Sequence, residues 1–326
     1  MKRGKINKIL VALVSAVLFL SPARPAGGQK IYRIGALVAA DEFMPAFVGF
    51  KKRMVELGYK EGKNVRYELY NANGDGAVLA QLAKQLVQEQ PDLIVTTSSS
   101  STVPVAQASE GTAIPVVFLS AGEPLRFAKS YGSSGNNLTG ISTAVLDLTE
   151  KRIELLKELA PWTRRVVFIG NPRGVSYHRH LLAAKKACKK LQFQVFEKDA
   201  SSRDELEKIA PSLTRKTVDA IVVQPDVTLG RNIDVVGDQA IKEKLPLIPP
   251  PAFIRSGGLA TYGPDNAALG SQGAVLVDKI FKGARPADLP IEQPAKLNLV
   301  INLKTARAIG LKVPKSMLLR ADQVIE

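Results

Sequence analysis

Cysteine and histidine are nearly absent from the chain. Cys188 is the only cysteine among 326 residues, so no disulfide can form within the chain. It shares a predicted helical face with Leu181 and Ala184, and we therefore expect a buried structural thiol. His178 and His180, the only histidines, fall two positions apart on a surface-like helix. They would face different sides, and no carboxylate stands at ligand spacing beside them, so no metal site is predicted.

Catalytic signatures are missing as well. The sequence contains no G-x-S-x-G nucleophile elbow and no glycine-rich dinucleotide fingerprint. The glycine–lysine pair within residues 58–63 lacks the spacing of a phosphate-binding loop and the Ser or Thr that would follow it. We therefore predict that the protein is not an enzyme and has no catalytic residues and no cofactor.

Aromatic residues make up only 6% of the chain, although its formal net charge is +15. A nucleic-acid-binding protein would gather positive charge into a patch with base-stacking aromatic side chains. Here the basic residues are spread along predicted helix faces, as in Lys51–Arg53 and Lys185–Lys186. We interpret the charge as solvated surface and predict no nucleic-acid partner.

Long apolar runs are lacking too, and the N-terminus has only a short one. Residues 1–8 carry four basic side chains, residues 9–20 are almost wholly apolar, and small residues follow. This order is typical of a secretory signal, and the apolar run is shorter than the ~20 residues that span a membrane. We predict a signal peptide over residues 1–26 and a periplasmic or other extracytoplasmic location. Its removal would lower the net charge from +15 to +10, because it holds five basic residues and no acids.

The remaining chain alternates strand patterns with helix patterns almost throughout. One set of these units ends near residue 142, and a second set follows. Because strand–helix–strand units build parallel sheets, we predict an α/β fold with two similar lobes. The first lobe is predicted over residues 27–142 and 259–284, and the second over 143–258 and 285–326. Three crossings would form a hinge, near residues 141–145, 254–260 and 284–294.

The stretch from Pro91 to Pro104 predicts a strand, a hydroxyl-rich turn and a helix start. Leu93–Val95 is apolar, Ser98–Thr102 carries five consecutive hydroxyls, and Pro104 would lie in the first helical turn. Backbone N–H groups at a helix start attract anions, and ligands of parallel sheets bind where strands end and helices begin. One serine alone could cap the helix, but the length of the run favours a ligand contact.

Six segments resemble a known protein family. They are Glu56–Val65, Asn137–Ile141, Lys151–Lys157, Ala287–Pro294, Leu299–Ala306 and Leu318–Asp322. The family is that of the ABC-transporter substrate-binding proteins related to tryptophan- and tyrosine-binding members. The resemblance covers residue 31 to the end, and its last three segments are the most specific. It implies the fold of type I periplasmic binding proteins, in which two Rossmann-like lobes close on a small solute and deliver it to a membrane permease.

Two departures from the family pattern fall in the predicted cleft. The family usually has Asp-Pro after its fourth strand, where this chain has Glu123-Pro124. Asn171-Pro172 keeps the family's turn, but residues 173–177 do not follow the usual continuation. Because glutamate is one methylene longer than aspartate, the ligand or its depth in the cleft could differ from those of the family.

Side chains at predicted strand ends form a candidate ligand site of thirteen residues. They are Asp41, Phe43, Ser98, Ser99, Ser100, Thr102, Glu123, Asn171, Tyr177, Gln224, Asp226, Phe253 and Tyr262. The hydroxyls suit a carboxylate, Glu123 or Asp226 suits an ammonium group, and the aromatic rings suit an apolar part of the ligand. Simpler roles stay open. Asp41 and Asp226 could only cap helices, Phe43 could belong to the core, and Tyr262 could pack in the hinge.

Two functions fit these observations. The first is the exported solute-binding component of an ABC importer, which captures a small amino-acid-like solute by hinge closure and acts as a monomer. The alternative is an exported ligand sensor that works with a membrane receptor. A repressor is disfavoured, because a signal-like segment stands where a DNA-binding helix-turn-helix would precede the fold.

Overall fold

Five parallel strands form the sheet of the first lobe. They are β1 (Tyr32–Val38), β2 (Val65–Asn71), β3 (Leu93–Thr96), β4 (Val116–Ala121) and β5 (Leu138–Ser142). Their spatial order is β2-β1-β3-β4-β5. The computed structural model describes residues 30–143, 145–174 and 176–326, so the predicted signal peptide lies outside the described residues.

Helices cover both faces of this sheet. They are α1 (Met44–Glu56), α2 (Gly76–Gln88) and α3 (Ser99–Ala108). Successive side chains of a strand point to opposite faces. Ile34 and Ala36 of β1 accordingly pack in the core beside α1, whereas Leu37 and Ala39 pack in the core beside α2 and α3. Burial on both faces explains why β1 is a nearly continuous apolar run in the sequence.

The second lobe contains a parallel sheet of four strands. They are β6 (Arg165–Gly170), β7 (Gln194–Asp199), β8 (Ala220–Val223) and β9 (Leu247–Ile248), in the order β7-β6-β8-β9. Its helices are α4 (Val145–Leu159), α5 (Tyr177–Lys190), α6 (Arg203–Ile209), α7 (Val227–Arg231) and α8 (Ile233–Lys242). Phe168 and Val222 pack beside α4 and α5, and Ile169 and Val223 pack beside α6 and α8. The predicted pair of α/β lobes with parallel central sheets is confirmed.

A third, smaller sheet lies against the second lobe. It contains β10 (Ala260–Gly263), β11 (Asn298–Asn302) and β12 (Gln323–Ile325), with β10 antiparallel and β12 parallel to β11. The last three helices are α9 (Asn266–Phe281), α10 (Leu303–Ala308) and α11 (Lys315–Arg320). Ala260, Leu299 and Ile301 belong to the core that Phe168 shares with α4 and α5.

Helix α9 packs against α1 of the first lobe at very short range. A Cβ atom added at Gly270 would lie 1.7 Å from the Ala46 carbonyl oxygen, and one added at Gly49 would lie 2.1 Å from that of Ala267. Only glycine permits this approach. Since β10 packs with the second lobe and α9 with the first, we propose that the chain crosses at residues 264–265 rather than before residue 259. The other predicted lobe boundaries stay a prediction.

The start of α3 differs from the sequence prediction. The helix begins at Ser99, so Pro104 is its sixth residue and does not lie in the first turn. The reason is a capping box, in which Ser98 Oγ accepts from the Ser101 backbone N–H and Ser101 Oγ accepts from the Ser98 backbone N–H. This cap starts the helix early, although proline then removes one hydrogen bond of the helix interior.

The single cysteine is where the sequence predicts it. Cys188 is 1% exposed and lies in the core of the second lobe with Leu181 and Ala184. Burial raises the pKa of its thiol to about 11, so the thiol stays protonated and unreactive at neutral pH. Among the residues that the structure describes, no helix is both long enough and apolar enough to span a bilayer.

Candidate functional site

A cavity of about 400 Å³ lies between the two lobes, at the carboxyl ends of the strands. Turns that follow successive strands supply its walls. The residues include Ser98 after β3, Glu123 after β4, Thr143 after β5, Asn171 after β6, Asp226 after β8 and Phe253 after β9. This is the place where open α/β sheets bind ligands, and the volume is that of a small-molecule site.

Eight of the thirteen predicted residues line this cavity. They are Phe43, Ser98, Ser99, Ser100, Glu123, Asn171, Asp226 and Phe253. Five do not line it, namely Asp41, Thr102, Tyr177, Gln224 and Tyr262. The structure thus brings eight of the predicted residues together, while the five others contact other parts of their lobes; Tyr262 packs against the core of the second lobe.

Asp41 and Thr102 make hydrogen bonds within the first lobe. Asp41 is exposed, and its Oδ1 accepts from Asn71 Nδ2 at 2.6 Å. Thr102 is fully buried, with its Oγ1 2.7 Å from Thr96 Oγ1 and donating to the Ser98 carbonyl oxygen at 2.7 Å. Thr102 therefore ties α3 to β3 instead of facing the cavity, because it lies one helical turn beyond the cap.

Tyr177 and Gln224 support the wall of the second lobe from behind. The Tyr177 hydroxyl donates to Asp199 Oδ1 at 2.6 Å, and burial together with this bond raises the pKa of Tyr177 to about 12. Gln224 Oε1 accepts from the Asn171 backbone N–H at 2.8 Å. Gln224 thereby fixes the turn that carries Asn171 into the cavity.

The hydroxyls of the first lobe are largely engaged with one another. Ser98 and Ser101 form the capping box of α3. Ser99 Oγ accepts from the Gly122 backbone N–H at 2.8 Å, which joins the turns after β3 and β4. Ser100 lines the cavity and takes no part in the capping box. Much of the hydroxyl run therefore stabilises its own turn.

Glu123 is the acidic group of the first-lobe wall. It is 6% exposed, and its Oε1 is buried without a hydrogen-bond partner among the described residues. Its Oε2 lies 3.8 Å from Nη1 of Arg179, which belongs to the opposite lobe. A buried carboxylate oxygen without a donor is costly, and a cationic ligand group would relieve that cost.

Asp226 is the acidic group of the second-lobe wall. Its Oδ1 caps α7 by accepting from the Leu229 backbone N–H at 3.0 Å, and it also accepts from Asn171 Nδ2 at 3.2 Å. Burial raises the pKa of the Asp226 carboxyl, and these hydrogen bonds lower it in part. Asp226 therefore caps α7, which was one of the roles that the sequence left open, and its side chain also lines the cavity.

The two cavity phenylalanines are held by the cores of their lobes. Phe43 packs against apolar residues on both faces of the first sheet. Phe253 belongs to a core of the second lobe and lies over Gly230, where an added Cβ atom would meet the ring at 2.1 Å. Both rings are thus positioned at the cavity edge by packing, and the core role left open for Phe43 is compatible with a place in the wall.

Arg152 and His180 also line the cavity, and sequence reasoning missed both. Arg152 is 3% exposed, and its Nε donates to the Tyr262 carbonyl oxygen at 2.8 Å. Burial lowers the pKa of this guanidinium to about 9, so it stays charged at neutral pH. The signal that could have found Arg152 is its place on the buried stripe of α4, four residues after Leu148 and three before Leu155.

His180 corrects the view of both histidines as surface residues. His178 is exposed, but His180 is 2% exposed, and its Nδ1 lies 2.8 Å from Thr149 Oγ1. The pKa of His180 is lowered to about 3, mainly by burial and to a smaller extent by the positive charge of Arg152. The ring is therefore neutral at neutral pH. Within the described ranges, no group of three or more metal-ligating side chains occurs.

The lobes touch each other around the cavity. Besides the pair formed by Glu123 and Arg179, the side chain of Arg231 lies against Gly74 of the first lobe. A Cβ atom at Gly74 would meet Arg231 Nη1 at 2.0 Å, and the φ of +80° at Gly74 also favours glycine. These contacts enclose the space between the sheets.

The chain is similar to known proteins over most of its length. A family model described as ABC transporter substrate binding protein matches residues 33–325. The tyrosine-binding protein of Clostridioides difficile (strain R20291) is 27% identical over 287 residues, which cover 87% of this chain and 82% of that protein. The crystal structure of an ABC domain in complex with L-Trp from Streptococcus pneumoniae has a TM-score of 0.82 at 26% identity, covering 91% of this chain and 100% of that one.

A ligand-free, open structure of a substrate-binding protein from Clostridium difficile is similar in fold. Its TM-score is 0.71 at 24% identity, and the match covers 90% of this chain and 99% of that one. The likeness to these structures confirms the predicted type I periplasmic-binding-protein fold, with two lobes built on parallel sheets.

Proposed function

Because the chain belongs to the family of ABC transporter substrate-binding proteins, we propose that it is the exported solute-binding component of an ABC importer. Proteins of this family bind solutes and are not enzymes. The observation that carries the proposal is a cavity of about 400 Å³ between the lobes, whose wall contains a buried carboxylate oxygen of Glu123 that has no hydrogen-bond partner among the described residues. We propose that the solute is small and amino-acid-like.

The acidic groups of the cavity support a ligand with an ammonium group. Glu123 contributes from the first lobe and Asp226 from the second. A charge-assisted hydrogen bond is about twice as strong as a neutral one, and it is stronger still in a site that excludes water. An ammonium group between the two carboxylates would supply the donor that Glu123 Oε1 lacks.

The apolar part of the ligand would contact Phe43 and Phe253. Rings that the protein core holds in place lose little conformational freedom when a ligand packs on them. A relative named as a tyrosine-binding protein and a similar structure that holds L-Trp support an apolar or aromatic amino acid as the solute. The identity levels of 27% and 26% leave room for a different member of that class.

We propose that binding closes the two lobes. A ligand that touches both walls favours the closed arrangement over the open one by its differential affinity. Small-angle scattering should show a smaller radius of gyration with saturating L-tryptophan or L-tyrosine than without. An unchanged radius at saturation would indicate a rigid cleft.

Export and delivery to a permease complete the proposed role. The basic, apolar and small-residue order of residues 1–26 supports export. N-terminal sequencing of protein from the cell envelope should give a first residue near Arg24 or Gly27, and an intact Met1 in the soluble cytoplasmic fraction would contradict export. Loss of solute uptake in a deletion strain favours the importer, whereas normal uptake with a lost response to the solute favours the alternative sensor.

The ammonium assignment can be tested at Glu123. Glu123→Gln should weaken L-tryptophan or L-tyrosine binding by about 1.5–3 kcal/mol, the range for hydrogen bonds to charged groups. Ser100→Ala should cost less, because neighbouring hydroxyls can partly substitute. Calorimetry decides, with Glu110→Gln as the control for an exposed carboxylate far from the cavity lining. If Glu123→Gln binds as well as the wild type and the deaminated acid also binds, the assignment of an ammonium group is wrong.

A further inference from the structure

Arg152 lies in the cavity wall beside Gly263, the last residue of β10. The same cavity is lined by Thr143, which follows β5, and by Pro264, which precedes α9. Both belong to segments where the chain passes between the lobes. The Nε of Arg152 is tied to the Tyr262 carbonyl oxygen of β10 at 2.8 Å, so the guanidinium has a fixed position and orientation.

The rest of this guanidinium makes no hydrogen bond within the residues that the structure describes, although Nη1 and Nη2 are both buried. Thr143 Oγ1, which belongs to another residue of the cavity lining, is also buried and has no hydrogen-bond partner in the described part of the chain. A charged group that is removed from water without compensation costs several kcal/mol, and proteins rarely keep one unless it binds something.

The chemistry of these atoms selects an anion. Two Nη groups of one planar guanidinium match the two oxygens of a carboxylate, and a hydroxyl can add a third donor. We infer that Arg152, assisted by Thr143, is the receptor for the carboxylate of the ligand. This inference rests on the proposed function and deepens it, because it requires the solute to carry an anionic group.

The alternative receptor is the hydroxyl-rich start of α3, to which the sequence assigns the carboxylate. There the side chains of Ser98 and Ser101 satisfy each other's backbone groups, and Ser99 Oγ accepts from the Gly122 N–H but keeps its own hydroxyl hydrogen as a donor. The hydroxyls of α3 are neutral donors that are partly engaged, whereas Arg152 is a buried cation whose two Nη groups have no hydrogen-bond partner among the described residues. A carboxylate therefore gains more at Arg152, where it also compensates a buried charge, and the start of α3 positions the ligand.

The two assignments place the ammonium group and the carboxylate of the ligand at different side chains. Glu123 of the first lobe faces the ammonium group, and Arg152 of the second lobe faces the carboxylate. A zwitterion bridges them, whereas an amine or an uncharged sugar leaves the guanidinium unpaired. The site therefore selects amino acids and related carboxylic acids over neutral solutes.

Calorimetry and thermal shift with defined probes test the inference. The probes are L-tryptophan, L-tyrosine, 3-indolepropionate, tryptamine and D-arabinose, extended by a panel of the other amino acids and simple carboxylic acids. Arg152→Met removes the charge while keeping an unbranched side chain. Arg152→Lys keeps the charge but lacks the two parallel Nη donors of the guanidinium. Lys151→Met is the matched control, because it removes a positive charge from the same helix at a side chain paired with Glu154.

The bound carboxylates should lose at least ~30-fold in affinity in Arg152→Met, since truncating one member of a buried charge pair costs ~2 kcal/mol or more. Arg152→Lys should fall between this variant and the wild type, and Lys151→Met should match the wild type. Tryptamine, which lacks the carboxylate, should not lose affinity in Arg152→Met. If Arg152→Met fails to fold, Arg152→Lys and the order of affinities among the probes decide instead.

Three results would overturn the inference. They are carboxylate binding by Arg152→Met within threefold of the wild type, a wild-type preference for tryptamine or D-arabinose, and no carboxylate binding by the wild type across the panel. Failure of the amino-acid function looks different. In that case 3-indolepropionate binds as tightly as L-tryptophan and Glu123→Gln has no effect, while the dependence on Arg152 persists.

Discussion

The two walls of the cleft use polar residues in opposite ways. The first-lobe wall presents a run of five hydroxyls that is conspicuous in the sequence, yet Ser98, Ser99 and Thr102 all make hydrogen bonds within their own lobe. The second-lobe wall presents Arg152 and His180, which come from the sides of helices α4 and α5. Arg152 is nearly fully buried, but most of its donors have no partner among the described residues.

This difference separates polar residues whose hydrogen bonds stabilise the wall itself from polar residues whose donors remain available to a ligand. A cluster of short polar side chains satisfies itself, because serine and threonine readily bond to nearby backbone groups. A single arginine on the buried face of a helix, such as Arg152, has no such partner in the nearby backbone that the structure describes. We therefore expect ligand binding at unsatisfied buried groups rather than where polar residues are densest in the sequence.

The largest expected effect concerns acid stability and comes from His180. Its pKa is about 3 in the folded protein and ~6.5 when unfolded, so the folded state takes up this proton less readily. The contribution of the neutral, buried His180 to the free energy of unfolding is fully present above pH 6.5. It is lost as the pH falls from 6.5 towards 3, at ~1.4 kcal/mol per pH unit. Urea unfolding at pH 7 and pH 4.5 should show a smaller pH dependence in His180→Gln than in the wild type.

The neighbouring His178→Gln supplies the control for this measurement. His178→Gln removes an exposed histidine from the same helix and leaves His180 in place, so the pH dependence that comes from His180 should remain. Equal pH dependence in the two variants would show that His180 does not titrate as its burial implies. Ser98→Ala and Ser100→Ala should keep the wild-type dependence, because the first-lobe hydroxyls do not titrate in this range.

Thr102→Val should lower the free energy of unfolding by about 1–3 kcal/mol without affecting the ligand. The substitution deprives the fully buried Thr96 hydroxyl of its partner, and an unsatisfied buried polar group costs that amount. Urea unfolding and calorimetry together check this prediction. A loss of affinity at unchanged stability would mean that Thr102 contacts the ligand after all.

Ser98→Ala should cost about 1 kcal/mol of unfolding free energy, the usual value for a lost N-cap. Ser98→Asp should restore most of it, since aspartate is an equally good N-cap. Chemical denaturation of both variants measures the cap of α3 directly. No loss in Ser98→Ala would show that the capping box contributes nothing to stability.

The smallest effect is expected at the contact between the walls. Arg179 is 61% exposed and lies 3.8 Å from the buried Glu123, and an ion pair whose cation remains in solvent at this distance contributes about 1 kcal/mol or less. Arg179→Gln should raise the Kd for the ligand by no more than about fivefold at low salt, and salt should abolish the difference. Lys185→Gln is the control, since Lys185 pairs with Glu197 within the second lobe. A large effect that persists in high salt would assign Arg179 to ligand binding.

Local patterns in the sequence were sufficient for most of the fold. Apolar runs at β1 and β3 and the helical stripe that includes Phe47, Phe50 and Met54 predict elements that the structure contains, because burial on a sheet or helix face leaves a regular spacing. The same logic finds strand ends. Glu123, Asn171 and Asp226 could be placed in the cleft because parallel strands deliver their carboxyl ends to one edge.

Tertiary structure decided what each polar side chain does there. Whether Thr102 faces a ligand or Thr96 depends on where the capping box starts α3, and the sequence favoured a later start that would put Pro104 in the first turn. The role of Arg152 depends on which atoms of distant segments come near it, since Tyr262 lies 110 residues away along the chain. The sequence alone determined which segments become strands and helices, because that choice is local. Only packing between distant segments decided which buried charge has donors without a partner among the described residues.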